Sequence, residues 1–533
     1  MRKRIALLIA VVLLTATLPT AVWSAGISEA AQAEAAPLPE DASPAEGMEP
    51  GDATDQGLSP QDGEARYEDA QDNVVTTRHT AVIQGKELAY TAQAGTTVLE
   101  TNGNRCEIFF TSYTLDGVED PSERPVTFIF NGGPGSCSMY LHVGCFGPRR
   151  IDVDENGNAI SLPARMVDNG NSLLDLTDLV VIDAVGCGYS RSLEDSNGPF
   201  IGYENDICVT ADFIRQYVNR NNRWGSAKYI AGESYGTIRA VGVCKYLAAS
   251  YSMNLNGLIL ISSANDTAGI VFSGGNDIPY ATFIPTYAAI ARYHGVLARE
   301  YQEQPLEDYL EEVRGFVEGA YVPALFQGNR LPEEERDALA EKLAGYIGLT
   351  KEFVLDHNLR IELEDFSKAL LKDEKLMVGR LDGRVTGPVT SGSLDSGESD
   401  PSSSAVDLSY GNAFNSYVIN ELGFRTDRPY IPTNGNINYE WTFPIGSWGG
   451  FVSQEQTIYE CISQNPFLKV WVLCGYYDAA TPFYSAEWTF NHVFLNDALR
   501  DNLSFSYYQC GHMIYMEKQS FDKFRRDAEA WYK

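Results

Sequence analysis

Histidine is scarce in this chain of 533 residues: there are six, none clustered, and no Cys-x-x-Cys pair occurs. Structural zinc is held by such ligand sets, so a metal-built fold is not supported. Positive charge is also in deficit, with 40 Lys and Arg against 72 Asp and Glu and a formal net charge of −32. A surface of that sign repels phosphate, which excludes nucleic acid and anionic membrane surfaces as electrostatic partners. No internal repeat is visible. What the chain does have is apolar mass, 44% hydrophobic and 11% aromatic residues. That suffices for a large globular core, and the length suits one catalytic domain carrying an insertion.

The first 25 residues read as a secretory signal: Arg2, Lys3 and Arg4, the apolar run Ile5 to Leu18, then small residues at Ser24 and Ala25. An uncleaved membrane anchor is the other reading of such a segment, and the short apolar run weighs against it. Ala31-Gln32-Ala33 offers a second cleavage site. The expectation is an exported protein, extracellular, periplasmic or attached at the cell surface, with no membrane insertion after cleavage. Residues 26–72 hold thirteen acids and one Arg. So little apolar surface does not offset ordering entropy, so this segment reads as a disordered acidic tether or pro-segment. Nine cysteines in an exported chain suggest disulfides, with an odd one over. Cys137/Cys145 and Cys208/Cys244 are candidate pairs, and buried thiols are the alternative.

From residue 73 the pattern becomes that of a sheet. Arg105 to Thr114 and Val126 to Phe130 read as strands. Leu179 to Asp183, Lys228 to Ala231 and Gly257 to Ser262 are short buried-strand runs, separated by helical spacing over Tyr203 to Val218 and Thr237 to Ala249. Alternation of this kind predicts an α/β fold with a mostly parallel sheet and helices on both faces. Over 265–440 the rhythm turns to charged helical stretches such as Leu306 to Val317 and Pro332 to Leu343, read as an inserted helical cap with a mobile Ser/Gly/Asp-rich loop at 387–407. Strands resume at Phe467 to Cys474 and Ser504 to Tyr508, and a last helix begins near Gln519. The core is thus expected in two parts, 73–264 and 441–533.

Gly232-Glu233-Ser234-Tyr235-Gly236 stands between a predicted strand and a predicted helix. That is the setting of a nucleophile elbow, in which glycines permit a strained turn that lifts a serine off the sheet edge. A serine hydroxyl needs a base to take its proton and a carboxylate to orient that base, in the chain order Ser, Asp, His for such a sheet. Asp478 follows the strand ending at Cys474, and His512 lies in a Gly-containing turn after the strand ending at Tyr508. Ser234, Asp478 and His512 are therefore the expected triad. The other five histidines fall in helical, cap-like or edge settings and read as packing or surface residues. Asn131-Gly-Gly-Pro-Gly135 follows the strand Val126 to Phe130. It is either an ordinary tight turn or an oxyanion turn, with Gly133 N–H and Tyr235 N–H as the donor pair.

The segments NGGPG, VVIDAVGCGYS, GESYG and CGHM occur in the order and approximate spacing of the serine carboxypeptidase family, over about 105–262 and 467–533. The chain is identified as a divergent member, of bacterial type. The resemblance implies an α/β-hydrolase fold, no metal or organic cofactor, and hydrolysis of C-terminal residues from peptides through an acyl-enzyme. It also implies that Asn131 and Glu233 bind the substrate's terminal carboxylate. Two departures stand out. The family's second glutamate, fourteen residues after the Asn, is replaced by Cys145, and the cysteine expected straight after NGGPG is displaced to Cys137 behind Ser136. Loss of the glutamate neighbour predicts a weaker dependence on acid pH. Arg149 and Arg150 are then candidate cations for the carboxylate, or simply a solvent-facing basic pair on the next strand. An acyltransferase, an esterase and a catalytically silent binding protein are the alternative functions of such a chain.

Overall fold

In a computed structural model of the chain, residues 70–158, 160–389, 400–443 and 450–533 are described. The expected signal peptide at 1–25 and nearly all of the tether at 26–72 lie outside the described residues. The first three strands, β1 (Asn73–Ile83), β2 (Lys86–Thr101) and β3 (Asn104–Leu115), form an antiparallel meander. After β4 (Val126–Phe130) the chain makes a small ribbon of β5 (Arg149–Ile151) and β6 (Met166–Asp168), then β7 (Asp178–Ile182) and the short β8 (Arg191–Ser192) beside β3. Helix α1 (Tyr203–Arg220), β9 (Lys228–Glu233), helix α2 (Tyr235–Tyr251) and β10 (Gly257–Ile261) follow. A second ribbon, β11 (Leu376–Val378) with β12 (Thr386–Pro388), precedes β13 (Lys469–Gly475) and β14 (Leu503–Tyr508).

The main sheet has the order β1-β2-β3-β7-β4-β9-β10-β13-β14, antiparallel up to β7 and parallel from β7 onward. The sequence explains the change of sense. In β1 exposed and covered residues alternate, whereas every residue of VTFIF in β4, DLVVI in β7 and GLILI in β10 is buried, as a strand covered on both faces requires. Alternate side chains feed separate cores: Phe128, Phe130, Val180 and Ile182 pack on the side of α1 and α2, and Ile129, Leu179 and Val181 on the side of Phe146, Phe414 and the C-terminal helix residue Phe524. This is the layered arrangement of an α/β-hydrolase, with helices on both faces.

Between β10 and β13 the described residues are mainly helical, from Ile278–Thr282 to Glu455–Gln464. The loop expected over 387–407 is shorter than the sequence suggested. A helix starts at Pro401, because the Asp400 carboxylate accepts the Ser402 N–H and proline occupies the first helical position. Residues 390–399 of that loop lie outside the described residues. No helix among the described residues is long and apolar enough to cross a membrane.

Candidate active site

The register of the parallel strands brings the candidate residues to one edge. Phe130 pairs with Gly232, Ile261 with both Glu233 and Leu473, and Gly475 with Tyr508. Asn131, Ser234, Asp478 and His512 therefore all follow the carboxyl ends of neighbouring strands, where open α/β sheets place their ligands. Ser234 has φ 61° and ψ −129°, a conformation unusual for a residue with a side chain and the strain expected of a nucleophile elbow. Its N–H donates to the Ile261 carbonyl at 3.0 Å, and its own carbonyl accepts from Thr237 N at 2.9 Å and Thr237 Oγ1 at 2.7 Å. The flanking glycines are sterically required, since a Cβ on Gly232 would stand 2.2 Å from the Gly236 carbonyl oxygen.

The NGGPG turn is pressed against this elbow. A Cβ on Gly132 would lie 2.5 Å from Tyr235 N, and Gly133 has φ 105°, open only to glycine at low cost. Tyr235 is the first residue of α2, so its N–H has no partner within the helix, and the positive end of the helix dipole faces the turn. The residue before Gly133 is thus packed against the first N–H of α2, next to Ser234.

Asp478 is buried and all its acceptor sites are directed. Oδ1 takes the Ala480 N–H at 2.8 Å and the Thr481 N–H at 2.9 Å, while Oδ2 takes the Thr481 hydroxyl at 2.7 Å and His512 Nδ1–H at 2.8 Å. Burial by itself lowers the His512 pKa, but the charge and hydrogen bond of Asp478 outweigh it and hold the imidazole above its usual range. The ring is brought to Asp478 but not to Ser234, whose hydroxyl makes no hydrogen bond among the described residues. A strap of residues 380–384 secures both loops. His512 N donates to the Leu381 carbonyl at 2.7 Å, Ala479 N to the Arg380 carbonyl at 3.1 Å, and Gly511 N to Asp382 Oδ2 at 3.2 Å. Ser262, at the end of β10, adds a 2.7 Å bond from Oγ to the His512 carbonyl.

Beneath Ser234 lies a buried polar floor. Asn131 Nδ2 donates to Glu233 Oε1 at 2.7 Å, Tyr515 OH reaches the same oxygen at 3.4 Å, and Glu233 Oε2 has no partner. Burial raises the Glu233 carboxyl to about 7, against smaller lowering effects of His512, Tyr515 and Asn131. Cys145, at the position of the missing glutamate, is fully buried and near enough for the Glu233 charge to add to the burial that raises its thiol. Sequence reasoning missed Thr481, Tyr515 and the strap. Thr481 had a signal, because an Asp followed three residues later by Thr favours a local side-chain turn. The strap and Tyr515 had none, being long-range.

Arg149 does not join the floor, being held by Asp168 at 2.5 Å and Glu421 at 3.1 Å. Arg150 lies over the Phe521 ring at 4.8 Å, near enough to Cys145 and Tyr410 for its charge to act on both. All nine cysteines are thiols in the structure, so neither candidate disulfide is formed. Cys244 contacts Cys461 instead of Cys208.

Residues 90–269 match the sequence model of the family described as serine carboxypeptidase. Over these residues the chain is similar to the serine carboxypeptidases. Among curated proteins it is similar to serine carboxypeptidase-like 8 of Arabidopsis thaliana, 25% identical over 183 residues, covering 32% of this chain and 40% of that protein. Serine carboxypeptidase-like 33 of the same plant is 33% identical over 126 residues, covering 22% and 23%. The chain thus spans two-fifths or less of the length of these relatives. A solved structure of KEX1(delta)p, a prohormone-processing carboxypeptidase from Saccharomyces cerevisiae, superposes with a TM-score of 0.53 at 15% identity, covering 83% of this chain and 91% of that one. That likeness is one of fold.

Proposed function

We propose that the chain is an exported serine carboxypeptidase that releases C-terminal residues of peptides through an acyl-enzyme on Ser234, beneath a cap formed by the helical stretch 265–440. The observation that carries this reading is the fully directed Asp478 carboxylate, which fixes His512 by Nδ1 and leaves Nε2 as the basic nitrogen. In the proposed reaction Nε2 takes the Ser234 proton as Oγ attacks the scissile carbonyl. The developing oxyanion is received by Gly133 N–H and Tyr235 N–H, and the imidazolium returns the proton to the leaving amine. A water activated by the same nitrogen then hydrolyses the ester. The contact between Ser234 and His512 closes when substrate binds, since catalytic hydrogen bonds are often long without it. Asn131 Nδ2 and protonated Glu233 hold the substrate carboxylate, the unpartnered Oε2 being the free hydrogen-bonding position.

Fluorophosphonate labelling with peptide mapping, and mass spectrometry of a peptide library, test this together. The expected result is a label on Ser234 and release of C-terminal residues much faster from free acids than from C-terminal amides. A label elsewhere, or equal cleavage of acids and amides, overturns it. Diversion of product by added alcohols identifies an acyltransferase instead.

A further inference from the structure

Five residues into α2 from Ser234, one buried guanidinium makes three kinds of contact. Arg239 Nε donates to Asp206 Oδ2 on α1 at 2.7 Å, and Nη1 donates to the backbone carbonyl of Asn131 at 2.7 Å. Its plane lies over Phe130 at 5.1 Å and Tyr235 at 5.4 Å, and Tyr235 OH closes the set on Asp206 Oδ2 at 3.3 Å. Both charged side chains are about as buried as any in the molecule, 2% and 3% exposed. Placing a charge pair in such a position costs desolvation that the pair's attraction barely offsets, and a well-packed apolar pair often stabilises a fold as much. Stability is therefore a poor reason for these two residues.

Position is a better one. Asn131 is followed by Gly132 and Gly133, so the Gly133 N–H is held through backbone alone, its own peptide carbonyl, Gly132 O, accepting from Ser136 N at 3.2 Å. One peptide earlier stands the Asn131 carbonyl, which Arg239 holds at 2.7 Å. Through the same side chain the carbonyl is referred to α2, which carries the other donor at Tyr235. We propose that Arg239, braced by Asp206, is the positioning residue that sets the spacing of the Gly133 and Tyr235 N–H donors by tying the Asn131 carbonyl to α2. The inference rests on the oxyanion role given to those amides above. It requires Arg, because a lysine point charge cannot serve two acceptors along a rigid fork.

The test compares Arg239→Lys and the double variant Arg239→Met/Asp206→Leu with the wild type. For each, melting temperature, kcat and KM for a peptide acid, and the rate of fluorophosphonate labelling at Ser234 are measured. The double variant removes both charges, so it is expected to keep its melting temperature within a few degrees while labelling at least about tenfold slower, because the phosphonyl oxygen uses the same donors. Arg239→Lys keeps its charge opposite Asp206 and is expected to lose about 10- to 100-fold in kcat with little change in KM. A purely structural role would move melting temperature and not these. Wild-type labelling rate and kcat in a folded double variant overturn the proposal. Should that variant not fold, unchanged values in Arg239→Lys do so. Failure of the wild type to label at Ser234 instead removes the functional reading itself.

Discussion

The two halves of the site are built differently. The proposed nucleophile half comes from the ends of two adjacent strands, β4 and β9, and its parts meet through backbone: glycines at 132, 232 and 236 let the turn and the elbow approach within distances no Cβ would permit. The proposed acid and base half consists of two loops, 475–482 and 509–512, held by hydrogen bonds with residues 380–384. Backbone contact leaves the first half little freedom, because displacing it means opening the sheet edge. The second half depends on a few hydrogen bonds to a strap that a local change can release, and such regions open at lower free energy than a core.

The largest effects are expected within the chemistry of each half. Ser234→Ala and His512→Ala should each lower kcat by at least about 10,000-fold, and Asp478→Asn by a similar order through a misoriented imidazole. Melting temperatures close to wild type would show that fold and chemistry are separable there. Next comes the backbone contact. Gly132→Ala places a methyl where Tyr235 N now stands 2.5 Å away, so the turn and elbow must part. An expected loss of about 100-fold in kcat, with a falling melting temperature, is the cost of an overpacked backbone and a displaced donor. In the other half, Asp382→Ala removes the acceptor of Gly511 N–H and the partner of Arg384, which is paired at 2.7 Å. A loss of about tenfold in kcat is expected, with faster amide exchange at 509–512 and none at 232–236. Equal exchange in both halves would erase the contrast between them.

This contrast also explains what the sequence could tell. The strand-turn-helix around Ser234 and the turn after Phe130 were legible because the chemistry depends on nearby glycines and short buried strands. Boundaries were close: the helix expected from Thr237 begins at Tyr235, and the strand expected from Phe467 begins at Lys469. The strap was not legible. Leu381 offers only a carbonyl oxygen, a group every residue has, and it meets His512 across more than a hundred positions. The partners of Arg149 and Arg150 were not legible for a related reason, since Glu421 and Phe521 are distant in sequence. Cys145 stands where the resemblance expects a second glutamate, and burial raises the Glu233 carboxyl without that second acid.

That last point yields the subtlest prediction, which concerns the floor shared by the two halves. Glu233 rises from an ordinary 4.5 to about 7 in the folded protein, chiefly by burial. Between those values the native state binds more protons than the unfolded one, so stability falls as pH rises across the window. The cost is on the order of 3 kcal/mol, complete above about pH 7. Glu233→Gln cannot ionise and still accepts from Asn131, so relative to wild type it should gain stability through this interval and match it below. Activity follows the same group if the protonated carboxyl holds the substrate carboxylate. On peptide acids the wild-type kcat/KM should climb as His512 loses its proton and fall again as Glu233 ionises near 7. On C-terminal amides the descending limb should be absent. Glu233→Gln should lose the descending limb on acids too, because its amide donates at every pH, and it should exceed wild type by about tenfold at one pH unit above the Glu233 value. Paired pH profiles of urea unfolding and of acid against amide hydrolysis check both parts. An unchanged alkaline limb in Glu233→Gln would assign that limb to another group and take Glu233 out of carboxylate recognition.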